Sequence, residues 1–511
     1  MSMPAPGSPE ELEAFERLKK ALPKLYNEVT RDDRKPNTAV VVPSLSMHPD
    51  ELKKITGVHH YEERLLFLLM LLRRPRTRLI YVTSQPIHPA IIDYYLHLLS
   101  GVPGSHARRR LTLLACHDAS PVPLTQKLLE RPRLRRRLLD AIPDRERAHI
   151  VCFNASELER TLSVALDLPL YATDPALLDL GTKSGCRETF REAGVALADG
   201  FERLRDEQDV IDSLTTLKLQ HPDLRRAVVK LNDGFSGEGN ALFYMDQAPI
   251  SDEGALREWV RRELPAGLKF EAKTENYESF FRKWLDMQGI VECFIEKGED
   301  GIKESPSAQC RVNPLGEAQI ISTHDQVLGG PSGQVFLGCT FPAIDDYRMA
   351  VQRESMKVAR VLAERGVVGR FGVDFISVKE QGEWVHYAIE VNLRKGGTTH
   401  PFLTLKFLTD GHYERETGLF RAPNGDPKYY YASDTLQKEQ YKGLTPDDLI
   451  DIAVYHGLHF HGAPQRGVVF HLIGALSEFG KLGVVCIGDN PQQAKFLYRK
   501  TVEILDRETA R

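Results

Sequence analysis

The sequence predicts a multidomain protein of mixed class, α/β in its first third and α+β beyond, and three observations predict it. A chain of 511 residues is too long for one hydrophobic core and implies about three or four compact units. From about 36 to 170, short apolar strands alternate with amphipathic helices, the order that gives a parallel sheet wrapped by helices. From about 173 the pattern changes to strand pairs joined by glycine turns around a long middle segment, which marks an antiparallel α+β unit.

The divisions follow from these shifts. Residues 1–35 are a tail and a helix, 36–172 a Rossmann-like α/β domain, 173–428 an α+β domain, and 429–511 a small C-terminal α+β domain. In the first domain TAVVVP (38–43), RLIYVTS (78–84), LTLLAC (111–116) and HIVCF (149–153) read as strands. The segments EERLLFLLMLL, HPAIIDYYLHLL, LRRRLLDAI and ELERTLSVAL read as the helices between or after them. No glycine fingerprint for a dinucleotide accompanies the strands, so this domain is expected to hold no cofactor of its own.

Helical spacing over 174–194 ends at Gly194, and a further helix covers 206–219. Strand pairs follow: AVVKL with ALFYM, AQCRV with AQIIS around Asn313 to Gly316, and FGVDFISV with WVHYAIEVN around Glu380 to Glu383. The last segment has a helix at 446–456, strands GVVFHLI and LGVVCIG, and a closing helix at 491–506.

Composition excludes several classes. With 42% hydrophobic and 27% charged residues the chain is ordinary globular protein, and 67 basic against 71 acidic residues leave a net charge of -4. Neither nucleic acid nor an anionic membrane is an expected partner. The arginine clusters at 108–110 and 131–137 read as solvated helix faces, with Leu134 and Leu138 turned inward. The seven cysteines are scattered, odd in number and without a CxxC pair, which fits a reducing, cytoplasmic setting. The longest apolar run, LLFLLMLL at 65–72, is far short of the roughly 20 residues of a membrane helix.

The most informative stretch is YAIEVNLRKGG at 387–397. On a strand, Glu390 and Asn392 share one face, about 7 Å apart, and Ile389 and Val391 point to the other. The partner strand holds one acid, Asp374, which lands opposite Glu390 if the hairpin loop is odd, for instance Gln381-Gly382-Glu383. An even loop without a bulge would separate the two. Carboxylates facing each other across a ladder repel, and a divalent cation with oxygen ligands, such as Mg²⁺, relieves the repulsion. Arg394 and Lys395 could then meet phosphate or a substrate carboxylate. The plain alternative is a hairpin with one wet face.

Two lysines occupy phosphate-binding contexts. Lys230 lies in a strand entering the loop NDGFSGEGN, where Gly234, Gly237 and Gly239, with Ser236, could fold backbone N–H groups over phosphates. A P-loop is rejected, because GK[ST] and the following helix are missing. Lys183, in LGTKSG, stands at a helix start, where the dipole favours anions. Taken singly, a hairpin tip and a surface lysine account for these as well.

Their order along the chain resembles the ATP-grasp superfamily, in which two α+β lobes clamp ATP; the motifs cover about 175 to 400. That resemblance implies a pre-ATP-grasp domain in front, with Lys183 and Lys230 on the phosphates and Gly234 to Gly239 as a lid. It implies that the strand from Glu292 through Phe294 to Ile295 meets adenine, with Glu299 or Glu296 on the ribose. It implies Asp374, Glu390 and Asn392 as magnesium ligands and Arg394 as the arginine of the Glu-x-Asn-x-Arg pattern. More narrowly, THDQVLGGPSGQVFLGCTFPA (323–343), EVNLRKGGTTHPF (390–402) and GVVFHLIGALSEFGKLGVVCIG (467–488) make the chain similar to the pheganomycin-type peptide ligases over nearly its whole length.

The expected activity is ATP-dependent ligation of a carboxylate to an amine through an acyl phosphate, with amino acids or short peptides as substrates and ATP and Mg²⁺ as cofactors. Arg311 and Arg394 are the expected catalytic pair, steadying the acyl phosphate or gripping a carboxylate, although Arg311 could equally be a cross-strand charge. A phosphotransferase and a nucleotide-binding protein without turnover are the competing readings, and a homodimer is the oligomer considered. The histidines 456, 459, 461 and 471 have a spacing that invites a metal, but packing is the preferred reading. Cys293 and Cys339 read as small buried residues.

Overall fold

A computed structural model describes residues 4–234, 239–249, 252–272, 275–329 and 335–510. The helix Pro9–Arg31 starts at Ser8, whose hydroxyl accepts the Glu11 amide, and turns Phe15, Leu18, Leu22 and Leu25 inward. Strands Asn37–Val42, Thr77–Thr83, Leu111–Ala115 and Ala148–Cys152 then form the expected parallel sheet, in the order third, second, first, fourth. The first strand is buried on both faces. Val40 and Val42 join a core with Phe15 and Leu138, and Ala39 and Val41 join another with Leu66 and Leu69.

The greasy run at 65–72 belongs to a helix of 3-10 type, Val58–Arg73. Leu66, Leu69 and Leu72 are fully buried three residues apart, which is the eclipsed row that 3-10 geometry produces. Arg110 departs from the solvated face expected of it. It is buried and donates to the carbonyls of Leu72, Arg74 and Thr77 at 2.6, 2.7 and 2.9 Å, satisfying backbone groups that the end of that helix leaves open. Leu134 and Leu138 face inward as expected.

Helical segments Pro175–Gly181 and Lys183–Glu192 lead to Gly194, whose φ of +64° ends the second one. A five-stranded antiparallel sheet follows, in the spatial order Gly200–Leu204, Gly289–Cys293, Arg226–Leu231, Asn240–Tyr244, Leu268–Phe270. Helices Glu207–Gln220, Glu253–Gly267 and Tyr277–Met287 cover it with Leu214, Val260 and Trp284. Gly289 has no room for a side chain, because a Cβ would stand 2.3 Å from the Lys230 carbonyl oxygen and 2.4 Å from the Trp284 ring.

Among the described residues the third sheet has eleven strands, including Pro306–Val312, Ala318–Gly329, Val335–Phe341, Gly369–Glu380 and Glu383–Asn392. Helix Asp345–Glu364 packs Val351, Val358 and Leu362 beneath it. The hairpin around Glu380 differs in detail from expectation. Its loop is the two residues Gln381 and Gly382, both with positive φ, and Glu380 pairs with Glu383. Such an even loop would set Asp374 against Ile389. A bulge at Ile389 restores the pairing of Asp374 with Glu390, so Ala388 and Val391 face the core rather than Ile389 and Val391.

Strand Pro427–Gln437 pairs with both Val335–Phe341 and Lys481–Gly488, and Gly467–His471 completes the edge, so the sheet crosses residue 428 without a break. Helices Pro446–Tyr455 and Pro491–Glu508 stand where the periodicity puts them. This last segment shares a core with the first. Leu69, Leu79 and Ile91 belong to one cluster with Phe402, Val485 and Leu505. Among the described residues no helix is long and apolar enough to cross a membrane.

Candidate active site

Asp374 and Glu390 face each other across neighbouring strands, and Asn392, two residues on, donates its amide to Asp374 Oδ2 at 3.0 Å. Gln326, from the strand Ala318–Gly329, donates to the other oxygen at 3.0 Å. The hairpin therefore brings the three expected metal ligands together, and Gln326 is an addition that only its place inside the THDQ motif could have flagged. Burial first, and Glu390 second, push the Asp374 carboxyl up to about 7. Burial would raise Glu390 as well, but Lys183, with Arg394 and Lys230, holds it below the usual carboxylate range.

Lys183 is the first residue of its helix, and its Nζ stands 2.5 Å from Glu390 Oε1. The helix start is clamped to the other lobe: Asn232 Oδ1 accepts both the Ser184 amide at 3.0 Å and its hydroxyl at 2.7 Å. Burial works against the Lys183 charge, and Glu390 outweighs it, so the ammonium holds its proton more tightly than a free lysine.

Lys230 takes a second carboxylate, with Nζ 2.5 Å from Glu292 Oε1, and Arg187 holds Oε2 of the same group at 2.7 Å. Glu292 was expected at the adenine contact; its side chain instead ties the Lys230 strand to the Lys183 helix. Arg187 lies one helical turn beyond Lys183, so i, i+4 spacing was the available signal. Gly234 and Gly239 approach so closely that a Cβ on Gly234 would lie 3.2 Å from the Gly239 nitrogen. Ser236 and Gly237, expected in the phosphate loop, lie outside the described residues.

The strand expected to run from Glu292 to Ile295 stops at Cys293, because its neighbour begins at Arg226 and offers nothing further to pair. The Phe294 amide still reaches the Arg226 carbonyl at 3.2 Å, while the Ile295 carbonyl accepts from Lys303 Nζ at 2.7 Å. The Arg226 guanidinium and the Lys303 ammonium stand 3.9 and 4.3 Å from the centre of the Phe294 ring. Burial pulls the Lys303 ammonium down to about 8. Of the two acids considered for ribose, Glu296 is ion-paired with Arg226 at 2.6 Å, and Glu299 is exposed on a turn.

Arg394 lies near enough to Asp374 and Glu390 for its charge to lower both carboxyls, and burial lowers its own pKa. Arg311 is not brought to that group. It sits opposite Arg370, four residues along from Ser307, which is opposite Asp374, and thus about 13 Å along the ladder. The histidines of the last segment pack against neighbours: His456 bonds Glu508 at 2.8 Å, and the tilted rings of His459 and His461 and of His471 and His400 have centres 4.2 and 4.0 Å apart. Cys339 is buried in the core and Cys293 half-buried, its thiol pushed up to about 11 by burial.

Two cations from separate lobes thus face an oxygen-rich hairpin, an arrangement able to receive a polyphosphate. The IQCH-like ATP-grasp family model matches residues 175–415, and the PGM1 C-terminal domain model matches 448–501. An L-propargylglycine--L-glutamate ligase from Streptantibioticus cattleyicolor is 31% identical, over 90% of this chain and 92% of its own. IQ motif-containing protein H from Danio rerio is 22% identical over 98% of this chain, which spans 51% of that protein. Two solved structures share the fold. The biotin carboxylase–β-γ-ATP complex from Campylobacter jejuni has a TM-score of 0.53 at 11% identity, covering 92% of this chain and 91% of its own. The biotin carboxylase domain of Hydrogenobacter thermophilus 2-oxoglutarate carboxylase has 0.52 at 12%, covering 91% and 89%.

The chain belongs to the ATP-grasp superfamily. Within it, the chain is an ATP-dependent carboxylate–amine ligase, similar to the pheganomycin-type peptide ligases.

Proposed function

We propose that the chain joins two amino acids or short peptides, one through its carboxylate and the other through its amine, at the cleft between the five-stranded sheet and the Asp374–Glu390 hairpin. One observation carries this reading: Lys183 from the helix and Asp374, Glu390 and Asn392 from the hairpin converge on a single point. Ligation by the Streptantibioticus relative, named for two amino acids, supports the substrate class.

Asp374, Glu390 and Asn392 would hold magnesium. The fit is chemical: all three offer oxygen, and Asp374, facing Glu390, has amide donors from Asn392 and Gln326 but no ion pair among the described residues. When bound, the ion neutralises phosphate oxygens and favours attack at the γ-phosphorus. Lys183 and Lys230, already aimed into the cleft by their acid partners, steady the phosphates as charge moves to the leaving ADP. A carboxylate oxygen of the acid substrate forms a bond to the γ-phosphorus while the bond to the bridging oxygen of ADP breaks. The amine nitrogen then attacks the acyl carbon, the bond to the phosphate oxygen breaks, and the proton lost by nitrogen leaves with phosphate. Arg394, beside the two acids, steadies the acyl phosphate. The strand end at Phe294 and Ile295 receives adenine, and Glu299, free of the ion pair that occupies Glu296, meets the ribose.

Divisions at 35 and 172, a cytoplasmic location and a homodimer complete the proposal, and the boundary at 428 is given up because it falls inside the strand Pro427–Gln437. Seven unpaired cysteines support the location, and sedimentation tests the dimer. The direct test of function is an ADP-release screen with amino acids and short peptides as paired donors, followed by mass analysis. The expected product is an amide one water lighter than its parts. A phosphorylated substrate in its place would make the enzyme a phosphotransferase.

A further inference from the structure

Along the strand Gly369–Glu380, three regions follow in order. Ser377 and Val378 pair with Glu304 and Lys303, on the segment leaving the lobe of Lys230 and Glu292; Asp374 is in the middle; Arg370 stands at the far end, next to the first domain. Arg370 and Arg311 are opposed across the ladder, on the face that carries Asp374. Two like charges in that relation repel, and nothing acidic offsets them. Among the described residues neither guanidinium has a carboxylate within ion-pair distance; Arg311 Nη2 donates to the Gln319 amide oxygen at 2.5 Å.

More positive charge surrounds the pair. Lys406, on helix Thr399–Thr409, feels Arg370, Arg311 and Arg74, and Lys395 feels Arg370; burial lowers both ammonium pKa values, and no carboxylate raises either. Burial and Arg311 together pull Arg370 down to about 10. Two guanidinium nitrogens here are buried without a hydrogen-bond partner, Arg311 Nε and Arg370 Nη1, and the Tyr171 hydroxyl stands beside them within reach of both charges. Buried donors are ordinarily satisfied, and a group of orphaned cationic donors at one place marks a missing anion.

We propose that Arg370, Arg311 and Lys406, with Tyr171, anchor a free carboxylate on the amine substrate, several bonds from the nitrogen that is acylated. The inference rests on the ligase reading above and adds the chemistry of the second substrate. The acid substrate spends its carboxylate at the Asp374 end, whereas an amino acid or peptide that supplies the amine keeps its own carboxylate free throughout. The nucleotide lobe closes one end of the strand, and the cluster waits at the other. A planar guanidinium accepts a carboxylate in a forked geometry, and two forks with an ammonium suit an acidic amino acid or a peptide C-terminus.

The test pairs amines that differ only in this group: L-glutamate with L-glutamine, and glycyl-leucine with glycyl-leucinamide, in ADP release by wild type and Arg370→Met. The free-carboxylate member of at least one pair should have a kcat/KM about tenfold or more above its neutral partner, mainly through KM, and Arg370→Met should erase that preference while Mg·ADP affinity holds. Equal use of both members in both pairs overturns the anchor and leaves the ligase reading standing. If no amine supports ADP release, ligation fails instead, and unfolding temperatures decide the anchor. Glutarate should protect wild type but not Arg370→Met, and the variant alone should unfold at the wild-type temperature or above, since an unpaired buried charge is removed. Absent protection, or a less stable variant, overturns it.

Discussion

Lys183 Nζ and Glu390 Oε1, 207 positions apart in the chain, meet at 2.5 Å and hold the start of the helix Lys183–Glu192 against the hairpin with which that helix shares a core. The contact fixes the ammonium proposed to meet phosphate, and it offsets repulsion between Glu390 and Asp374. Replacing the lysine removes both effects. Lys183→Met should lower kcat/KM for ATP by about a hundredfold or more, measured by ADP release, in a chain that still folds. Near-normal turnover would remove Lys183 from the site.

The triad of Lys230, Glu292 and Arg187 predicts a different signature, because it is dry: the three side chains are 10%, 8% and 3% exposed. Taking the charge from Glu292 leaves the buried Lys230 without a carboxylate and Arg187 with Glu202 alone. Glu292→Gln should cost about 3 kcal/mol of stability in urea titration. Mg·ADP should restore part of it, since phosphate can replace the lost carboxylate beside Lys230.

Gly289 gives a packing prediction. With a Cβ only 2.3 Å from the Lys230 carbonyl, Gly289→Ala must push its neighbour strand or the Trp284 ring aside. Overpacking of this kind costs about 1–3 kcal/mol. Because the displaced residue is Lys230, KM for ATP should rise together with the fall in unfolding temperature; a change in temperature alone would show that the strand gives way elsewhere.

Acid should weaken the fold through His324 and His471. Both are buried, and burial lowers each ring to about 3. On unfolding each returns to about 6.5 and takes up a proton, so the unfolded chain binds more protons below that pH. Stability is present in full above 6.5 and is lost as pH falls from 6.5 toward 3, by about 2 kcal/mol per ring at pH 5. Urea titrations at pH 7 and pH 5 check this; equal midpoints would mean that the rings are solvated.

The alternation of apolar and polar residues made the parallel sheet, the hairpins and the Asp374, Glu390 and Asn392 grouping legible, because a strand face is set by every second residue. Parity was not legible. The turn at Gln381 and Gly382 looks equally ready to be odd or even, and the bulge at Ile389 that corrects it depends on both strands at once. Long-range pairs were hidden for the same reason: neither Arg110 under three carbonyls nor Glu292 between Lys230 and Arg187 has a local signature. The shared core of the first and last segments escaped notice because periodicity says which face is apolar and not which partner covers it.

The account depends most on a carboxylate oxygen attacking the terminal phosphorus at the cleft where Lys183 meets the Asp374–Glu390 hairpin. Turnover with an acid substrate labelled with ¹⁸O in its carboxylate tests this directly, by mass analysis of the released phosphate. One labelled oxygen in each phosphate, matched by one lost from the amide product, is the predicted result. Unlabelled phosphate accompanying amide formation would contradict it.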